Sequence, residues 1–123
     1  GVFDGLGLLL GAAAVVLELV ADEQLRRFNR TKVSGDICAV GLWSWSRHPN
    51  YLGEQLFWWG LWLFGLSADA GWWWTVVGPL AMTVMFATAS IPMLERRSAE
   101  RRPGWEDYCR RNSVLLPRPP RPI

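Results

Sequence analysis

Three apolar stretches separated by polar turns set the pattern of this chain. Gly5–Leu17 carries no charge, and its apolar positions continue at helical spacing to about Phe28. Gln55–Ala68 is also uncharged, and Pro49, a natural first-turn residue, puts the start of that helix at 49. Gly71–Leu94 runs 24 residues without a charge. A hydrocarbon core needs ~20 such residues, so the third stretch crosses with ease and the second only just. The expected spans are 5–27, 49–67 and 72–94, with 95–123 as a tail outside the membrane. Pro79 is expected to kink the third span, and Pro92 to redirect it near its end. Met93–Arg101 reads as a charged amphipathic segment broken by Arg102-Pro103-Gly104. Trp105–Asn112 follows as a short helix with i,i+4 pairs Glu106–Arg110 and Asp107–Arg111. Pro117–Pro122 reads as extended. The predicted fold is all-α: a multi-pass transmembrane bundle of about three membrane helices plus short cytosolic C-terminal helices.

Charge supports this pattern independently. The 123 residues suffice for one domain, and half of them are hydrophobic. Only Arg47, Glu54, Asp69 and Glu95 are ionised between 37 and 95, whereas charges crowd 96–111. That is too apolar for a disordered tail and too segregated for a soluble enzyme. A net charge of +2, with no basic face among stacking aromatics, argues against a nucleic-acid partner. All 13 Lys and Arg fall in 26–47 or 96–121. Three crossings put both segments on one face, which the positive-inside rule makes cytoplasmic. Trp72, Trp73 and Trp74 then sit at headgroup depth on the other face. A chain opening on Gly, with no basic n-region before its apolar start, is expected to be a fragment of a larger protein. Cys38, Cys109 and one His form no metal-ligand cluster, so no metal is expected and the cysteines read as packing residues.

Several polar residues sit where lipid would not tolerate them. Glu18 lies ~12 Å up the first helix from Arg26, and an acid at that depth costs ~2.5 kcal/mol or more without a polar cavity or a cation. Asp22, four residues on, projects from the same face; Glu23 fits an ordinary helix end. Ser46-Arg47-His48-Pro49-Asn50-Tyr51-Leu52-Gly53-Glu54 is the densest polar cluster between the spans. It reads equally as an anion site at a helix N-terminus or as an interfacial cap anchored by Arg and Tyr. Glu95 leaves the membrane edge beside Arg96 and Arg97, and Tyr108 follows on the next short helix. Arg101, Arg102, Arg110 and Arg111 suit anionic lipid as well as a site. Gly7-xxx-Gly11 reads as a helix-packing face rather than a dinucleotide loop, because no strand precedes it.

Gly41-Leu42-Trp43-x-Trp45-Ser46-Arg47-His48-Pro49-Asn50-Tyr51-x-Gly53-Glu54, then Trp58-Trp59-Gly60, resembles the C-terminal part of the steroid 5-alpha-reductase-like membrane proteins, and more closely their DUF1295 branch. Glu18-x-x-x-Asp22-x-Gln24-x-x-x-Phe28 upstream, with Ile91-Pro92-x-Leu94-Glu95 and Pro103-Gly104-x-x-x-Tyr108 downstream, fits the same branch. The resemblance implies an NADPH-dependent oxidoreductase of an activated C=C bond in a lipid or steroid-like molecule. It implies cofactor contacts from Glu18, Asp22, Gln24, Arg47, His48, Asn50, Tyr51, Glu54, Glu95, Arg96 and Tyr108. Asn50 and Glu54 would lie near the nicotinamide and Arg96 near the phosphates. The implied partners are the bilayer, a hydrophobic small-molecule substrate, and upstream membrane helices of the full-length protein. The implied setting is the endoplasmic reticulum of a eukaryote or the cytoplasmic membrane of a bacterium. Two departures stand out. Glu18 and Arg47-His48-Pro49 replace a polar amide and a small-residue pair of the steroid enzymes, and no residue here supplies the proton donor that such a reduction requires. The rival is an S-adenosylmethionine-dependent isoprenylcysteine-type methyltransferase, which shares Arg-His-Pro-x-Tyr-x-Gly but carries paired acids where Glu95-Arg96 stands. A non-catalytic membrane bundle is the third reading.

Overall fold

The computed structural model describes residues 1–122. It is all-helical, without strands among those residues. Helix α1 covers Val2–Thr31 and α2 covers Pro49–Ala68. A continuous rod over Ala70–Arg101 follows, built from a 3-10 segment (Ala70–Val76), α3 (Val77–Met85), a π-helical turn (Phe86–Ser90) and α4 (Ile91–Arg101). The short α5, Trp105–Arg111, closes the helical part. Helix α1 and the rod are each long and apolar enough to cross a membrane. Helix α2 has 20 residues, with Asn50, Glu54 and Gln55 in its first two turns, and does not meet that measure.

Helices α1 and α2 pack antiparallel along a seam of small residues. A Cβ on Gly7 would lie 2.8 Å from the Gly60 carbonyl oxygen and from the Phe64 nitrogen, and one on Gly53 would lie 3.0 Å from the Ala14 oxygen. Only hydrogen lets the backbones approach so closely. The packing face expected at Gly7-xxx-Gly11 thus forms at Gly7, with Gly60 as its partner, whereas a Cβ on Gly11 would meet open space. At one end of the seam the Ser67 hydroxyl donates to Asp4. The outer face of α1 stays uncovered within this chain: Leu8, Leu9 and Leu19 are each about two-thirds exposed. A contiguous apolar face of this kind on a soluble monomer would be unusual.

Two local expectations need correction. Pro79 sits in the first turn of α3, where a helix has no use for its missing N–H. The irregularity lies instead in the π turn immediately before Pro92, which absorbs the hydrogen bond that Pro92 cannot make. On α5 the ion pair that forms is Asp107–Arg110, three apart and loose at 3.7 Å, rather than either expected i,i+4 pair. Residues 117–122 do run without regular structure, as expected. They are tied back by Arg118 N–H donating to the Trp45 carbonyl at 3.0 Å and Arg121 N–H to the Arg111 carbonyl at 2.8 Å.

Beyond α1 the chain folds back on that helix. Gly35, at φ 94°, turns it, and Gly41, at φ 56°, takes a left-handed conformation where a Cβ would strike the Gln24 amide. Trp43 then lies buried against Ala21 and Cys38, and its indole N–H donates to the Ala21 carbonyl at 2.9 Å. Cys38 is a packing residue, as expected, and burial pushes its thiol pKa up.

Candidate functional site

The site is built on the turn that starts α2. Pro49 and Ser46 are the largest of the fully buried side chains, and Ser46 Oγ accepts the His48 backbone N–H at 3.1 Å. Arg47 is pinned from three directions. Its backbone N–H donates to the Ser113 carbonyl at 2.8 Å, and its Nη1 donates to the Cys109 carbonyl at 3.0 Å. Its Nε lies 3.1 Å from Glu95 Oε1, an ionic contact without an aligned N–H. The same carboxylate oxygen lies 3.0 Å from His48 Nε2. With Arg47 12% and His48 7% exposed, this cluster is largely withdrawn from water. Removing Glu95 would leave the Arg47 guanidinium poorly solvated without its counter-ion, a costlier loss than breaking a surface pair.

Beside this cluster lies a hollow of about 180 Å³ between the C-terminal turns of α1, the 37–48 connection, and helices α2, α4 and α5. Leu25, Phe28, Trp43 and Trp105 form its apolar wall; Arg47, His48, Asn50, Tyr51, Arg102 and Tyr108 form its polar wall. The Tyr51 ring stacks on His48 at 5.4 Å and 12°, and tilts against Phe86 in the π turn at 4.9 Å. Arg102 donates to Ser98 Oγ at 3.0 Å and holds its guanidinium 5.9 Å from the centre of the Trp105 ring, a cation–π arrangement. The Tyr108 hydroxyl donates to the Trp43 carbonyl at 2.5 Å, and burial raises its phenol pKa far above the usual value.

Five of the expected site residues line this hollow: Arg47, His48, Asn50, Tyr51 and Tyr108. Glu95 stands behind Arg47 and His48 instead of facing the hollow. Gln24 is occupied elsewhere, its Oε1 accepting the Leu42 N–H at 2.9 Å, and so positions the Gly41 turn. Asp22 and Arg96 are exposed. Glu18 is half-buried next to the close approach of Gly53, within electrostatic range of Glu54 and Asp22. The shared cavity expected for Glu18, Asp22 and Asn50 is thus not enclosed by this chain. The reason is helical register: Glu18, Asp22, Leu25 and Asn29, at steps of four, three and four, form one stripe. Only its lower end, Leu25 and Asn29, reaches the hollow; the upper end lies beyond it.

Sequence reasoning left Arg102 divided between anionic lipid and a site, and missed Ser98, Trp105 and Asn29. The signal was present in part: Ser98 and Arg102 lie four apart on α4, so they meet on one face. Nothing in the spacing told that the break at Arg102-Pro103-Gly104 would fold Trp105 under that guanidinium.

Chemically, the hollow offers two guanidiniums and an imidazole beside flat aromatic faces. Such a donor set suits a phosphate or carboxylate next to a planar ring. No group of three or more His, Cys, Asp and Glu residues among the described residues could hold a metal ion.

The uncharacterized protein C594.04c of Schizosaccharomyces pombe (strain 972 / ATCC 24843) is 28% identical over 138 residues, an alignment covering 96% of this chain and 40% of that protein. The chain thus spans about two-fifths of the relative's length. No solved structure matches it. The family model described as "Protein of unknown function (DUF1295)" matches residues 1–112, nearly all of the chain, which therefore belongs to the DUF1295 family.

Proposed function

We propose that this chain is part of an integral membrane oxidoreductase that uses NADPH to reduce an activated C=C bond of a lipid or steroid-like substrate, and that it supplies much of the cofactor site. The observation carrying this reading is the hollow itself, where Arg47 and Arg102 flank Trp43, Trp105 and Tyr108. Guanidinium forks suit the phosphates of a dinucleotide, and aromatic faces suit its rings. At about 180 Å³ the hollow takes one end of such a molecule rather than the whole, since pockets for complete ligands are typically ~300–1,000 Å³. The polar stripe of Asp22, Glu18 and Glu54 continues upward from it. Carboxylates there accept hydrogen bonds from ribose hydroxyls or a carboxamide, once further helices of the whole protein cover them. When bound, NADPH supplies the hydride. This chain's residues bind and orient: Arg47 and Arg102 neutralise anionic charge, Asn50 presents its amide, and the stacked Tyr51 and His48 form a flat floor.

In this reading the protein crosses the membrane several times, with α1, α2 and the rod as spans. The 32–48 connection and the C-terminal tail lie on the cytoplasmic side. The host membrane is the endoplasmic reticulum of a eukaryote or the cytoplasmic membrane of a bacterium.

Calorimetry on the full-length protein in detergent, with NADPH and S-adenosylmethionine as separate titrants, tests the proposal. NADPH is expected to bind, at least tenfold more weakly in Arg102→Ala and Asn50→Ala. Binding of S-adenosylmethionine alone would reassign the site to methyl transfer, and binding of neither would leave a non-catalytic bundle.

A further inference from the structure

Glu95 has no place on the wall of the hollow, yet its carboxylate touches two residues that do. Its Oε1 meets His48 Nε2 at 3.0 Å and Arg47 Nε at 3.1 Å. An ionised carboxylate only accepts hydrogen bonds, so Nε2 must carry the proton. In the neutral ring this leaves Nδ1 as an acceptor, and the ring's hydrogen bond within the described residues is the one at Nε2. The Tyr51 ring stacks on the imidazole, and Ser46 Oγ holds the His48 backbone N–H. Glu95 supplies the remaining constraint, the rotation of the ring about its axis.

We propose that Glu95 is a positioning residue. It fixes the tautomer and tilt of His48 and holds an ionic contact with Arg47, so that the hollow presents an acceptor, Nδ1, beside a cation. The group recognised there therefore pairs a donor (an amide N–H or a hydroxyl) with an adjacent anion. A carboxamide or ribose hydroxyl near a phosphate meets that description. This assignment of a ligand rests on the NADPH reading; the positioning role itself does not.

The two effects of losing Glu95 have opposite signs, which makes the proposal testable. If Glu95 acted only through its charge, removing it would make the hollow more positive and tighten the binding of an anion. If it positions, removing it loosens two contact residues and weakens binding. Orienting partners of this kind contribute roughly tenfold or more where they have been measured for metal ligands. The chain contains a single histidine, so its ring signals in the full-length protein, ¹⁵N-labelled in micelles, are assigned without ambiguity once other histidines are substituted.

We expect a slowly exchanging, downfield-shifted proton on Nε2 in the unaltered protein, lost in Glu95→Ala and retained with a smaller shift in Glu95→Gln. NADPH affinity should fall at least tenfold in Glu95→Ala and be largely restored in Glu95→Gln. A ring proton found on Nδ1 in the unaltered protein overturns the proposal without recourse to any variant. So does equal or tighter NADPH binding by Glu95→Ala. If the Nε2 proton behaves as expected but NADPH does not bind the unaltered protein, the positioning role stands and the cofactor reading falls.

Discussion

Tyr108 shows how a single polar atom can hold the α5 end of this molecule together. Its hydroxyl reaches from α5 to the Trp43 carbonyl, and its ring packs 5.1 Å from Trp105. Phenylalanine at this position keeps the ring and strands a buried carbonyl, so Tyr108→Phe should cost about 1–3 kcal/mol. Chemical unfolding in micelles, read by tryptophan fluorescence, measures this directly. Burial raises the phenol pKa, so the folded form favours the neutral group over the ionised one. The sign follows from linkage: this contribution is complete below the unfolded-state value of about 10 and declines as pH climbs past it. The unaltered protein should lose stability above that pH more steeply than Tyr108→Phe, and equal slopes would refute the burial. The sequence placed Tyr108 at the site through its motif. It gave no means of learning that the hydroxyl is committed to Trp43, because that bond joins residues 65 apart.

At the level of helices, the small-residue seam and the π turn decide how the elements meet. Gly7 faces backbone atoms of α2 that cannot swing aside, so Gly7→Ala forces α1 and α2 apart. We expect a loss of about 1–3 kcal/mol, as for other overpacked contacts. Gly5→Ala, whose added carbon would meet open space, serves as the control and should be neutral or slightly stabilising. Thermal melts of both variants by circular dichroism in the same detergent make the comparison; equal melting temperatures would show that the seam is not tight. Helix existence and limits were legible in the sequence, since α2 begins at Pro49 and α4 ends before Arg102 as its residues indicate. The kink assigned to Pro79 was not, because a proline's effect depends on whether it falls in a first turn, and the 3-10 segment that put it there has no sequence signal of its own.

Taken whole, the molecule is polar at one end and apolar along its length. Asp4 and Ser67 meet at one end of the α1–α2 pair, while Arg47 meets Ser113 and Trp45 meets Arg118 at the other. This arrangement predicts that the Ala70 turn and the C-terminal tail face opposite sides of a membrane. In a variant lacking its native cysteines, Ala70→Cys and Arg118→Cys should react with an impermeant maleimide from opposite sides of sealed vesicles. Labelling of both from one side would refute the three-span topology. The 13 basic residues foretold this polarity, because moving charge across a bilayer is costly wherever it occurs in a sequence.

The residues alone determined that the chain is helical, that its apolar stretches are membrane-length, and that the Arg47–Glu54 turn gathers its polar chemistry. Those follow from local composition and periodicity, which any helix must obey. Only the tertiary structure decided membership of the hollow. Arg102 and Trp105 enter it while Asp22 and Arg96 stay outside, and Glu95 lies behind it. Helical spacing tells which face a residue occupies, but not how far along that face other elements extend to cover it. Here that limit is set by five segments that converge only once folded.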